Sequence, residues 1–141
     1  MNVTQINYLE VFMKKILFSV CFLMFSVSAL AETWQVYDSV GCSFIWTKSS
    51  GTPPVEYFNV ASTGAGCECY GTAIVHTTAN NYVTAEREVT TPAGTSWTAF
   101  HVGTKTEGRI TGTLLAVETD KPNVGFKRTW YAIISPGEDK K

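Results

Sequence analysis

Between residues 33 and 135, apolar and polar side chains alternate in short bursts, each closed by a cluster of turn-forming residues. Alternation with a period of two marks a strand with one buried face, because successive side chains leave an extended chain on opposite sides. The pattern predicts strands over 33–38, 42–48, 70–77, 82–90, 96–104, 109–119 and 125–135. Turn signals separate them at Ser49-Ser50-Gly51-Thr52-Pro53-Pro54, Thr63-Gly64-Ala65-Gly66, Asn80-Asn81, Thr91-Pro92-Ala93-Gly94, Glu107-Gly108, Asp120-Lys121-Pro122-Asn123 and Ser135-Pro136-Gly137. No long stretch carries the apolar stripe that a packed helix needs. Short strands with frequent turns predict an all-β fold: a small antiparallel β-sandwich or barrel of about seven strands. The connections are short enough for a meander through the C-terminal two thirds.

Two of these strands break the alternation in the same way. In 82–90 the polar face is Tyr82, Thr84, Glu86 and Glu88, and the apolar face Val83, Ala85 and Val89 is interrupted by Arg87. In 125–135, Arg128 shares a face with Phe126, Trp130, Ala132 and Ile134. Burying a charge is costly unless it is paired. Either each guanidinium escapes to water near a strand end, or Arg87 and Arg128 converge at the open end of the fold. The second arrangement would make a fork for a carboxylate, phosphate or sulfate, with Trp130 as its apolar wall.

The aromatic residues divide along the same lines. Phe44, Trp46, Phe100 and Trp130 are expected in the core. Trp97, just after a turn, and Tyr131, which points away from Trp130, are candidate surface anchors for a sugar ring or a protein. His101 shares a strand face with Trp97 and Ala99.

Upstream of the alternating region the chain reads as a secretory signal. Lys14 and Lys15 supply the positive start, 16–28 the apolar run, and Ala29-Leu30-Ala31 the small-x-small cleavage site. The run is shorter than the ~20 residues of a membrane-spanning helix, and no second run follows. Cys21 lies inside the apolar run behind Val20, unlike a lipid-modified cysteine. Met13 stands directly before the lysines and is the expected start of translation. The style is bacterial, so residues 1–31 are read as an upstream extension plus leader, and 32–141 as one periplasmic or secreted β-domain ending in a charged tail.

Composition supports this and narrows the partners. Residues 32–141 hold all four tryptophans and eighteen threonines, a β-forming bias. Nine basic residues face eleven acidic ones there, a net charge of −2. Nucleic acid is therefore not an expected partner, since it requires a clustered basic surface, and a polybasic membrane anchor is absent.

The same segment keeps three cysteines, Cys42, Cys67 and Cys69. An odd number in an oxidising compartment implies one bridge with a leftover thiol, an intermolecular bridge, or no bridge. Cys67 and Cys69 project from the same side of an extended chain, so the expected bridge joins Cys42 to Cys67 or Cys69. Closing such a loop stabilises by roughly 3 kcal/mol on chain-entropy grounds. A thiolate metal site of Cys67-Glu68-Cys69 with His76 or Cys42 is the competing reading, but a single C-x-C does not specify one. No metal and no cofactor is predicted.

Catalytic signatures are missing. There is no G-x-S-x-G elbow, P-loop, H-E-x-x-H, EF-hand loop or dinucleotide fingerprint. Glu86 and Glu88 could pair for glycoside cleavage, yet on one polar face they read as solvating charges. The sequence thus predicts a non-catalytic binding module for an envelope protein, a glycan or a small anion. Its candidate ligand residues are Arg87, Arg128, Trp97, Trp130, Tyr131 and His101. The alternatives are a structural or assembly component of the envelope cross-linked through the odd cysteine, and a small hydrolase or metal-dependent enzyme using His76 or His101 with Glu86 or Glu88.

Overall fold

Eight strands follow one another in a single up-and-down circuit: β1 (Thr33–Asp38), β2 (Ser43–Thr52), β3 (Val55–Ser62), β4 (Tyr70–Thr77), β5 (Tyr82–Thr90), β6 (Ser96–Thr106), β7 (Arg109–Glu118) and β8 (Lys121–Ser135). Each pairs antiparallel with the next, and β8 returns to pair with β1 over Thr33↔Ser135 to Asp38↔Trp130, closing a barrel. Closure pairs each of these eight strands on both sides. The computed structural model describes residues 30–64 and 67–137. The expected leader lies outside the described residues except for its last two positions, as do the last four residues of the expected tail. Residues Ala31–Asp139 form one compact unit.

The architecture is the barrel form of the expected all-β fold, with one strand more than the alternation suggested. The extra strand is β3. Its inward residues are Glu56, Phe58 and Val60, and Tyr57 faces out with 44% of its surface exposed. A buried acid and an exposed aromatic blur the period-two signal at the start of that segment. Glu56 is tolerated inside because Lys48 donates to its carboxylate.

Turn chemistry fixes the register. Glu107 (φ 48°) and Gly108 (φ 77°) are both left-handed, as a two-residue type I′ hairpin between β6 and β7 requires. At the β1–β2 turn the Asp38 carboxylate accepts from the backbone N–H of Val40 and Cys42.

The two ends of the barrel are filled differently. Toward the β2–β3 end, Trp34 stacks on Trp46 (6.0 Å between centroids, 8° between planes) and Phe58 closes on Trp34 at 4.8 Å. Trp46 also stacks on Trp130 at 6.5 Å, and His101 sits edge-on to both rings at 5.3 and 4.9 Å. Trp130 Nε1 donates to the Val102 carbonyl at 3.1 Å. Phe44, Trp46 and Trp130 are thus core, as expected. Phe100 is not: it is 47% exposed. Strand parity explains the correction, since Ala99 and His101 on either side of it face inward.

Candidate functional site

The opposite end of the barrel is hollow. A cavity of about 560 Å³ opens there, among the β1–β2, β3–β4, β5–β6 and β7–β8 connections. Phe44, Val89, Trp97, Ala116 and Phe126 give it apolar walls, and Trp97 leans on Phe126 at 5.6 Å. Asp38, Glu68 and the segment Thr91-Pro92-Ala93 complete the lining. Small inward side chains on β6 and β7, Ala99 and Ala116, face the interior at this level of the wall. Trp97 and Phe126 pair at the wall of this end, in place of the stacked Trp34, Trp46 and Trp130 of the other.

Arg87 enters this cavity from β5. Its place follows from strict alternation: Val83, Ala85, Arg87 and Val89 all face inward. The side chain is only 5% exposed, and its guanidinium carbon lies 4.3 Å from the Phe44 ring centroid. Burial pulls its pKa below the ordinary value, while the nearby Cys69 and Asp38 favour the charged form. An arginine nevertheless stays a cation in a protein. It takes part in neither of the ion pairs found among the described residues, Lys48–Glu56 and Lys121–Glu118. Its Nε has no hydrogen-bond partner there either. Asp38, the acid that acts on it, is already engaged with the β1–β2 turn.

The cysteines frame the same opening. Cys42 and Cys67 form a disulfide with a Cα–Cα distance of 5.9 Å, tying the β1–β2 turn to the β3–β4 loop. This is one of the two bridges expected from the sequence. Disulfides persist in oxidising compartments, so the bridge fits a setting outside the cytoplasm. Cys69 remains a free, half-buried thiol lining the cavity. Burial pushes its pKa up, and the Arg87 charge opposes that more weakly.

The other candidates are dispersed. Arg128 lies with its guanidinium 4.4 Å from the Phe126 ring, and lines a separate depression of about 650 Å³ with Ser39, Phe100, Leu115 and Lys127. The two arginines therefore line different cavities. We place the site at the mouth and not in the larger depression because the mouth holds a buried cation that is in no ion pair among the described residues. Trp130 and His101 belong to the packed interior. Tyr131 stacks on Tyr37 at 4.8 Å beneath Arg109. Only Arg87, Trp97 and the three cysteines meet at the mouth.

His101 faces inward, whereas Glu86 and Glu88 face outward, so the barrel wall separates them. His76, Glu86 and His101 border one groove of about 300 Å³ in the wall, with the His101 ring turned inward onto Trp46 and Trp130. Among the described residues no group of three or more His, Cys, Asp or Glu side chains is gathered as a metal site would require.

Sequence reading missed Phe126, Val89, Ala116 and Asp38 as wall residues. Phe126 and Val89 share strand faces with the two arginines in the alternation, which is the available signal. Asp38 and Ala116 carried none, because their role depends on closure. Comparison with protein-family models, curated proteins and solved structures finds no match.

Proposed function

We propose that this chain is an exported, periplasmic or secreted, non-catalytic binding module whose barrel mouth takes a small organic anion with an apolar body. The observation that carries the reading is Arg87: a cation buried against apolar walls and within reach of the Asp38 charge, but in no ion pair among the described residues. Leaving a buried charge uncompensated is expensive. An incoming carboxylate or sulfonate would remove that cost and gain a charge-assisted, bidentate contact. The apolar walls then select what the anion is attached to. Eight strands is the size at which a barrel interior is either filled by side chains or holds one small ligand, and here the two ends divide those options.

The test is a titration of the cavity with naphthoate, read by the fluorescence of Trp97 against the buried tryptophans, beside the uncharged isostere naphthamide. Naphthoate should bind more tightly, and Arg87→Gln should weaken it by roughly ten- to a hundredfold, the worth of one charged hydrogen-bonded contact. The affinity for naphthamide should hardly change. Equal affinity for the two probes in the native protein, or no binding of either, would dispose of the anion reading.

A further inference from the structure

The mouth holds a feature that simple anion binding does not use. Cys69 is a free thiol in the same cavity as Arg87, in a chain whose other two described cysteines are joined in a bridge. The thiol and the guanidinium line one wall of the same mouth, from the end of the β3–β4 connection and from β5. Arg87 lines this cavity while only 5% exposed, and its Nε has no hydrogen-bond partner among the described residues.

We propose that Cys69 and Arg87 together form a capture site for small anionic disulfides, Arg87 seating the ligand's carboxylate and Cys69 forming a mixed disulfide with it. The inference rests on the anion-binding reading above and adds a covalent step to it. The Cys69 thiol gives its proton to solvent, and Sγ attacks the nearer ligand sulfur. The ligand S–S bond breaks as the Sγ–S bond forms. The other half of the ligand departs as a thiolate and takes up a proton. The ligand disulfide is the oxidant, so no further reagent is needed.

Three features of the site favour this chemistry over its neighbours. A cavity of about 560 Å³ accommodates a small molecule, whereas a cysteine of another protein would have to be inserted past the rim to reach a half-buried thiol. Burial keeps the resting thiol protonated, which makes it slow toward reagents that are not held in place. A ligand anchored on Arg87 instead presents its sulfur at a high effective concentration. Selectivity for anions thus comes from residence in the mouth and not from thiol reactivity.

The experiment compares two disulfide probes on the exported, non-reduced protein: dithiobis-nitrobenzoate, which carries carboxylates, and dithiodipyridine, which is neutral. Each rate is divided by the same probe's rate with mercaptoethanol. The normalised rate should favour the carboxylate probe by about tenfold or more, and unreactive naphthoate, which fills the same mouth, should slow that probe. Arg87→Gln should bring the ratio to about one, and Arg87→Lys, which keeps the charge, should retain part of it. Cys69→Ser should release no coloured thiol. Peptide mass spectrometry should place the adduct on Cys69 with the Cys42–Cys67 bridge intact.

A ratio near one in the native protein, selectivity surviving in Arg87→Gln, no reaction with either probe, or an adduct on Cys42 or Cys67 would overturn the capture site. If naphthoate binds while the ratio is one, the covalent step fails and the binding module stands. If naphthoate also fails to bind, both readings fall. The naphthoate competition uses the unmutated protein, so the result does not depend on any variant folding.

Discussion

At the scale of single residues, His101 has the clearest thermodynamic consequence. It is 1% exposed between Trp46 and Trp130. Its ring nitrogens approach the backbone of Ala99 and Ala85 without reaching hydrogen-bond geometry. Burial, reinforced by the Arg87 charge, lowers its pKa from 6.5 to about 3, and those backbone groups oppose the shift only partly. The unfolded chain therefore takes up a proton below pH 6.5 that the folded protein refuses until about pH 3. The contribution is fully present above pH 6.5 and is lost as the pH falls through that window. One such proton is worth about 1.4 kcal/mol per pH unit once the unfolded side chain is charged. Urea denaturation should show stability falling by about 2 kcal/mol between about pH 7 and about pH 5, above the range where most carboxylates titrate. In His101→Leu that limb should be nearly flat. An unchanged slope in the variant would mean that another group carries the acid sensitivity.

At the scale of strands, alternation made most of the wall legible. It located seven strands, put Arg87 inward and put Glu86 and Glu88 outward. It lost β3, where Glu56 points in toward Lys48 and Tyr57 points out. It also started β8 late, because Lys121 and Pro122 read as a turn although Lys121 already pairs with Glu118. What alternation could not show is how closely the strands approach. Gly103 on β6 faces Gly112 on β7, and a Cβ added at Gly112 would lie 1.8 Å from the Val102 carbonyl oxygen. Backbone atoms cannot yield as a flexible side chain would, so an alanine there must push β6 and β7 apart. Gly112→Ala should cost about 2 kcal/mol or more, while Thr113→Ala, on the outer face of the same strand, should cost well under about 1 kcal/mol. Denaturation midpoints of the two variants decide it. Equal costs would show that the β6–β7 approach is not tight in solution.

At the scale of the whole molecule, the decisive property is the contrast between a packed end and a hollow one. That contrast was not legible in the sequence. A sandwich and a barrel share the same alternation, and only the long-range pairing of β1 with β8 distinguishes them. The mouth in turn exists because closure brings Ala116, Val89, Trp97 and Phe126 around Arg87 from four different strands. A hollow that serves binding gives up packing that the same residues could have supplied. Filling it should therefore separate function from stability. Ala116 is fully buried in the wall and lines the cavity, so Ala116→Phe would place a ring in the space assigned to the ligand's apolar body. The added apolar burial should leave the folding midpoint equal or higher, since the ring enters existing space and does not overpack a filled core. Naphthoate affinity should nevertheless drop by about tenfold or more with Arg87 untouched, because the apolar body is excluded while the cation remains. A variant that is as stable as the native protein and still binds naphthoate would move the ligand out of the mouth. The outer-wall depression beside Arg128 would then be the place to look.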